Sequence, residues 1–367
     1  MNARARLRYS RHLLIPEVGL AGQERLSRAR ALVVGAGGLG SPVLQYLAAA
    51  GVGRIGVMDD DDVDVTNLQR QTIFRESDVG RNKAVVAGEM IAALNPLASV
   101  DVLSFRFEPA NARGLAGVYD VIVDCTDRFS TRYLISDAAR LEGKPDIYGS
   151  IYRFDGQVSV FAPGGPCYRC LYPQPPPMES RPTCAEGGVL GALAGIVGTW
   201  QAAETLKVLL KIGEPLIGRL MLIDALGACI REVQFEPDSA CELCGERSSI
   251  SEIVAERYDE ISSNAAVDEI EATDLDDALR DALLLDVREP HETVFGSIVG
   301  AVSIPASQLE ARMHELDSAA HYVVACRVGA KSRWAVQRLA DAGFTRLAHL
   351  RGGLLAYAAR HAEFEIF

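Results

Sequence analysis

The sequence predicts an α/β protein: a doubly wound sheet with a structural four-cysteine site, followed by a smaller α/β domain. Three observations carry the prediction. A short apolar run, Ala31 to Val34, leads into Gly35, Gly37 and Gly40 at G-x-G-x-x-G spacing; a helical stretch from about Ser41 and a second apolar run, Ile55 to Met58, follow. Two C-x-x-C pairs, Cys167/Cys170 and Cys241/Cys244, lie far apart in the chain. Near the C-terminus, the runs Leu283 to Leu285 and Tyr322 to Ala325 read as further buried strands, the second ending at Cys326. The first observation is a Rossmann-like strand–turn–helix–strand unit. Its glycines permit a tight turn, close backbone approach to phosphate and close helix–strand contact. The helix that follows aims free N–H groups and its positive dipole end at an anion.

Asp59 follows the second strand, where a ribose-binding acid belongs. Next come Thr66, Asn67, Leu68, Gln69, Arg70 and Gln71, then Lys83 in a G-R-N-K-A run. Helix dipole and backbone suffice for a dinucleotide. A triphosphate carries more charge, which Arg70 and Lys83 would offset, so this unit points to ATP rather than NAD. Lys83 to Ala93 reads as a helix stopped by Asn95-Pro96, and Asp101 to Phe107 as a strand. The run Tyr119 to Val123 is another buried strand, with Asp124 and Asp127 at its C-terminal end. Ligands of open α/β sheets bind outside that end, so Asp127 is placed to hold Mg2+ on phosphates, or to cap the helix Phe129 to Leu141.

At 367 residues the chain has room for about two domains, and 49% apolar residues supply their cores. A net charge of −12 excludes nucleic acid as the main partner. The N-terminus is basic without an apolar core, so no signal peptide is expected. The longest apolar stretch, Val189 to Ile212, is broken by Gln201, Glu204 and Lys207; it reads as a core or dimer-interface helix, with no membrane partner. The expected compartment is cytoplasmic, where thiols stay reduced. Two C-x-x-C pairs there favour a tetrahedral Zn2+ site closing a loop of roughly seventy residues.

Several segments leave two readings open. Arg8 and Arg11 share a face if the N-terminal segment is helical, or lie in a solvated basic turn. Residues from Pro145 to Phe161 read as two strands. Tyr172 to Pro182 is proline-rich and expected as an exposed crossover or lid. Cys184 follows it, either as a reactive thiol near a helix start or as a small buried residue. The domains are expected at residues 1–247 and 267–367, with 248–266 as a polar linker carrying one short helix. In the second domain Cys326 lies between strand and helix, with Arg327, Lys331 and Arg333 nearby. Backbone N–H groups curling round its sulfur would favour thiolate, suited to persulfide transfer or phosphate hydrolysis.

Taken together, R-Y-S-R-H, G-A-G-G-L-G, T-N-L-Q-R-Q, G-R-N-K-A, D-C-T-D, C-Y-R-C and C-E-L-C give residues 4–247 a resemblance to the ThiF/MoeB family, prokaryotic relatives of ubiquitin-activating enzymes. L-L-L-D-V-R-E, C-R-V-G-A-K-S-R and L-R-G-G-L make residues from about 267 to 367 resemble a rhodanese domain, in the order of MoeZ-type fusions and molybdopterin-synthase sulfurylases. The resemblance implies an adenylyltransferase and sulfurtransferase. It would activate the C-terminal Gly-Gly tail of a ubiquitin-fold sulfur carrier protein with ATP. A Cys326 persulfide, charged by a sulfur donor such as thiosulfate or a cysteine desulfurase persulfide, would then yield a thiocarboxylate. It implies that Gly38 and Asp59 contact nucleotide, that Asn67, Arg70 and Lys83 hold phosphates, and that Asp127 supports Mg2+. It further implies that Arg11 completes the site of the neighbouring subunit in a homodimer, that Cys184 holds a thioester or resolves a disulfide, and that the four paired cysteines bind zinc.

The sequence departs from these patterns at Arg128, where the family usually has Asn, and at Ser297, where rhodaneses often carry His. The shortness of the Cys326–Ser332 loop suits sulfur over phosphate. The alternative function is activation of a ubiquitin-like protein for attachment to lysines, with an accessory rhodanese domain. An NAD oxidoreductase lacks an evident hydride-transfer site, and a non-catalytic scaffold leaves Lys83 and Asp127 incidental.

Overall fold

The computed structural model describes residues 1–175, 188–262, 267–294 and 296–361. Cys184 and most of the proline-rich segment lie outside them. The chain forms two compact units, the first reaching to Ser262 and the second following it.

The first unit is built on an eight-stranded sheet. Its strands are β1 (Arg30–Val34), β2 (Arg54–Met58), β3 (Ser99–Leu103), β4 (Val121–Asp124), β5 (Asp146–Tyr152), β6 (Asp155–Phe161), β7 (Arg219–Asp224) and β8 (Cys229–Gln234), in the order β3-β2-β1-β4-β5-β6-β7-β8. Pairing is parallel from β3 through β5 and antiparallel from β5 through β8. The parallel half is covered on both faces, and so reads as continuous apolar runs. Along β1 the pleat sends Ala31 and Val33 into one core, with Leu44 and Leu47 of the helix Gly40–Ala50, and Leu32 and Val34 into the other, with Leu134 and Ile135 of the helix Phe129–Leu141. Leu44 is fully buried, so truncation to Ala would cost about 2–5 kcal/mol. Strand β3 is shorter at its end than the apolar pattern suggested. It pairs with β2 from Ser99↔Arg54 to Met58↔Leu103, and Phe107 buries separately in the core.

The apolar run near Val189 is a core helix, Gly191–Leu210, whose Gln201 and Glu204 face inward. Gln201 donates to the carbonyls of Asp124 and Ile147 at 2.7 and 3.1 Å, tying β4 to β5. Among the described residues no helix is long and apolar enough to cross a membrane. At the N-terminus the helices Ala3–Arg8 and Ser10–Leu13 are separated at Tyr9, whose hydroxyl accepts from Asn95 Nδ2 at 2.8 Å. Arg8 and Arg11 are therefore on two helices rather than one face, and Arg8 donates to the Leu94 carbonyl. The first unit continues through the helix Ala255–Ser262 because Tyr258 is buried on it.

The second unit holds a parallel sheet of β9 (Glu269–Ile270), β10 (Leu283–Asp286), β11 (Val302–Ser303), β12 (Tyr322–Ala325) and β13 (Leu347–Leu350), ordered β11-β10-β12-β13-β9. The central strand β12 is wholly buried and delivers Cys326 at its C-terminal end.

Candidate functional site

In the first sheet the strand order reverses between β1 and β4, and the glycine loop leaves β1 at that switch point, where α/β sheets bind ligands. Two of the glycines are dictated by crowding. Gly35 has φ +98°, and a Cβ there would lie 2.7 Å from the Cys125 carbonyl; a Cβ on Gly40 would lie 2.0 Å from the Gly35 carbonyl. A Cβ on Gly37 would meet nothing nearer than Gln71 Nε2 at 3.6 Å, and one on Gly38 would lie 3.2 Å from the Ala194 Cβ and 3.5 Å from the Arg70 stem. The loop is thus packed most tightly at Gly35 and Gly40 and least tightly at Gly37.

Acids and bases converge on this loop. Asp59 accepts from the Ala36 N–H at 2.8 Å, which pins the loop to the end of β2. Burial raises the Asp59 carboxyl above its ordinary range, and the Lys83 charge opposes the rise. Lys83 is buried at the start of the helix Lys83–Leu94, and its Nζ donates to Asp61 Oδ2 at 3.2 Å. Arg128 approaches the same Asp61 at 3.9 Å. Arg70 donates to the Thr66 carbonyl at 2.9 Å. An incoming phosphate would compete with Asp61 for Lys83 and Arg128, a charge exchange suited to anion binding.

Other expected residues are engaged locally. Asn67 and Asp64 form a capping box, in which Asn67 accepts from the Asp64 N–H, and the Thr66 hydroxyl donates to Asp64. Leu68 packs against the core, and Gln69 is exposed. Arg11 is exposed on its four-residue helix. Asp127 is exposed as well and is not the cap; Arg128 occupies that position without a side-chain cap bond. Sequence reading missed Asp61, hidden in a run of four aspartates, and a buried support beneath Asp127. There Asp124 accepts from the Thr126 N–H at 3.0 Å, and Arg132 donates to the Thr126 carbonyl at 2.9 Å. Burial pushes Asp124 up to about 6 against the pull of Arg132.

The four paired cysteines come together, with Sγ–Sγ separations of 3.7 Å (Cys167–Cys170), 3.5 Å (Cys167–Cys241), 3.3 Å (Cys170–Cys244) and 3.4 Å (Cys167–Cys244). A tetrahedral ion at about 2.3 Å from each sulfur spaces them by about 3.8 Å, so the cluster is of a size to hold a metal. Burial pushes Cys244 up to about 12 and raises Cys167 as well, so a cation is what would make them thiolates. Arg169, between the first two cysteines, makes two 2.8 Å bonds to the fully buried Asp137, and Tyr258 adds a third at 2.8 Å.

In the second unit the Gly329 N–H donates to Cys326 Sγ at 3.1 Å, and the thiol lies 3.6 Å from the Ser332 hydroxyl. A Cβ on Gly353 would lie 2.5 Å from the Cys326 carbonyl, so the loop is braced from below. Arg288, fully buried, pairs with Asp286 at 2.7 Å and donates to the Gly296 carbonyl, fixing the loop after β10. Lys331 pairs with Glu292 at 2.8 Å. Ser297 is exposed, and among the described residues no hydrogen bond of its side chain joins it to this site.

The ThiF family matches residues 9–243, and a rhodanese-like domain matches residues 271–360. The chain is 45% identical over 361 residues to a probable adenylyltransferase/sulfurtransferase MoeZ of Mycobacterium tuberculosis, covering 96% of this chain and 92% of that protein. It is 52% identical over 253 residues to a sulfur carrier protein adenylyltransferase of Thermus thermophilus, covering 67% of this chain and 93% of the other. The Sus scrofa adenylyltransferase and sulfurtransferase MOCS3 is 39% identical over 394 residues, covering 96% and 86%. Among solved structures, the microcin C7 biosynthetic enzyme MccB matches with a TM-score of 0.58 at 23% identity, over 67% of this chain and 77% of that one, a likeness of fold.

Proposed function

Because the chain belongs to the ThiF family and continues into a rhodanese-like domain, we propose that it carries out two linked reactions on a ubiquitin-fold sulfur carrier protein. The C-terminal glycine carboxylate of the carrier attacks the α-phosphorus of ATP; a new C–O–P bond forms and pyrophosphate leaves. The terminal sulfur of a Cys326 persulfide then attacks the acyl carbon, and AMP departs with the electron pair. A second thiol must attack Cys326 Sγ to free the thiocarboxylate, leaving a disulfide for a cellular thiol to reduce. Cys184 is our candidate for that thiol. One observation carries the reading: a single chain holds both a glycine loop pinned by Asp59, with the Arg70 stem beside it, and a cysteine whose sulfur accepts from the Gly329 backbone N–H.

In this reading residues 1–247 adenylate and residues 267–367 transfer sulfur. Gly35, Gly37, Gly38 and Gly40 let the triphosphate approach the backbone, and Asp59 faces the ribose. Lys83, Arg70 and Arg128 offset phosphate charge, and the charge that develops as pyrophosphate leaves. Asp127, an exposed carboxylate, would hold Mg2+, which neutralises phosphate charge when bound. Cys167, Cys170, Cys241 and Cys244 would hold a structural Zn2+. Arg11 would complete the site of a second copy in a homodimer. Molybdenum cofactor or thiamine biosynthesis in the cytoplasm suits such a carrier, with thiosulfate or a desulfurase persulfide as donor. Attachment of a ubiquitin-like protein to lysines gains no support, since the relatives that match over both domains are named for sulfur transfer.

The test is ATP–pyrophosphate exchange with a panel of Gly-Gly-ended carriers, each intact and with the tail removed. Exchange that needs one intact tail is expected. No exchange with any carrier, in protein that binds ATP, would overturn the adenylation half.

A further inference from the structure

The cradled cysteine has a second connection, running inward from its sulfur. Cys326 Sγ is 3.6 Å from Ser332 Oγ, and Ser332 Oγ is 3.5 Å from His349 Nδ1. On the far side of the ring, His349 Nε2 is 3.2 Å from Glu269 Oε1. Cys326, Ser332 and His349 are 1%, 0% and 2% exposed, so the three polar groups are buried together. His349 lies in β13 between the buried Ala348 and Leu350. The far-side contact sets the tautomer. With Nε2–H donating to Glu269, Nδ1 carries a lone pair and faces Ser332.

We propose that Ser332, His349 and Glu269 form a proton relay that takes the proton from the Cys326 thiol before sulfur is loaded. This rests on reading Cys326 as the sulfur-bearing residue. The Cys326 S–H donates to Ser332 Oγ while the Ser332 O–H turns from the Gly329 carbonyl, 3.0 Å away, to His349 Nδ1. The proton ends on the imidazole, the electron pair stays on Sγ, and Glu269 faces the imidazolium. The thiolate then attacks the outer sulfur of a donor such as thiosulfate. The new S–S bond forms on Cys326, the old one breaks, and sulfite leaves with the electron pair. Contacts of 3.5 and 3.6 Å are long for the resting enzyme, as catalytic hydrogen bonds often are before substrate tightens them.

The surroundings favour an imidazole that is neutral at rest. Burial lowers the His349 pKa and outweighs Glu269, while the Arg333 charge acts in the same direction as burial. Arg333 and Arg351 both also approach Glu269, so among the described residues the carboxylate that faces the ring is itself flanked by two arginines. His349 and Ser332 are positioning residues here, acting on the reaction only through Cys326.

The test reads the thiol itself, apart from any sulfur donor or carrier. The full chain is alkylated with iodoacetamide across a pH series, and the Cys326 peptide is followed by mass spectrometry for the parent, Ser332→Ala, His349→Gln and the double variant. The relay predicts that each single variant moves the Cys326 profile to higher pH. At neutral pH alkylation should slow by about tenfold for each pH unit of that displacement. The double variant should move it no further, because both break one chain. A profile that stays in place in Ser332→Ala, a small change that should fold even if His349→Gln does not, overturns the relay. So does an additive effect. Failure of sulfur transfer with the displaced profile intact would instead count against the proposed function.

Discussion

Arg169→Met is the perturbation whose outcome the structure constrains most tightly. Arg169 and Asp137 are 5% and 0% exposed, and the carboxylate takes two hydrogen bonds from the guanidinium and one from Tyr258. Removing the guanidinium leaves a buried carboxylate with one neutral donor, which costs about 3–5 kcal/mol. For a domain of this size that is a fall in melting temperature of about 6–20 °C. Arg169 also lies in the turn between Cys167 and Cys170, so loosening that turn should lower metal retention as well. The assay is a thermal melt followed by Trp200 fluorescence in a Trp334→Phe background, with metal retention measured against a chelator. The triple variant Arg169→Met/Asp137→Leu/Tyr258→Phe, which removes charge and partners together, should regain most of the loss. A single variant melting within about 2 °C of the parent, or a triple variant as unstable as the single, would refute the argument.

Other outcomes follow from the same geometry. Gly40→Ala should abolish protection from heat by ATP-Mg, because its Cβ would collide with the Gly35 carbonyl at 2.0 Å; full protection would mean the loop is not the phosphate site. Asp127→Ala should stop pyrophosphate exchange without lowering the melting temperature, since the side chain is exposed and caps nothing. Cys326→Ala should end thiosulfate-to-cyanide sulfur transfer and leave pyrophosphate exchange intact; joint loss would contradict the division of labour. Burial, reinforced by Asp124, holds the Asp146 carboxyl well above the ordinary range, and its Oδ1 has no partner among the described residues. The folded state therefore binds that proton more tightly than the unfolded chain. The resulting stability is complete below the unfolded pKa of about 4 and is lost as pH rises through the raised value. Asp146→Asn should raise the melting temperature at pH 8, with the gain shrinking toward pH 4; a gain independent of pH would refute the assignment.

What the sequence makes legible is local. The run from Ala31 through Asp59 carries its own strand, turn and helix signals, because each of those elements is set by neighbours within a few residues. The C-x-x-C pairs are legible for the same reason, and the fold brings them together. The buried supports are different in kind. Asp137, Arg169 and Tyr258 come from three separate stretches, and Glu269 lies 80 residues before His349. No spacing rule links such residues; only the strand order does. The antiparallel strands β7 and β8 also escape sequence reading, since β8 is exposed along most of its length and has no apolar alternation to display. Lys83 stands out in sequence as a phosphate ligand, yet its resting partner Asp61 is one of four consecutive aspartates that sequence cannot tell apart.

The distance between the two cysteine pairs also bears on how the protein is made. Cys241 follows Cys167 by 74 residues, so a ribosome working at about 5–20 residues per second needs roughly 4–15 s to supply the second half of the cluster. Through that interval the first pair is an open, two-thiol site on a growing chain. A polypeptide that stops short of Cys244 never closes it. Four-sulfur closure therefore marks a first unit whose synthesis has run through β8, and a truncated chain is chemically distinguishable from a finished one by its reactive thiols.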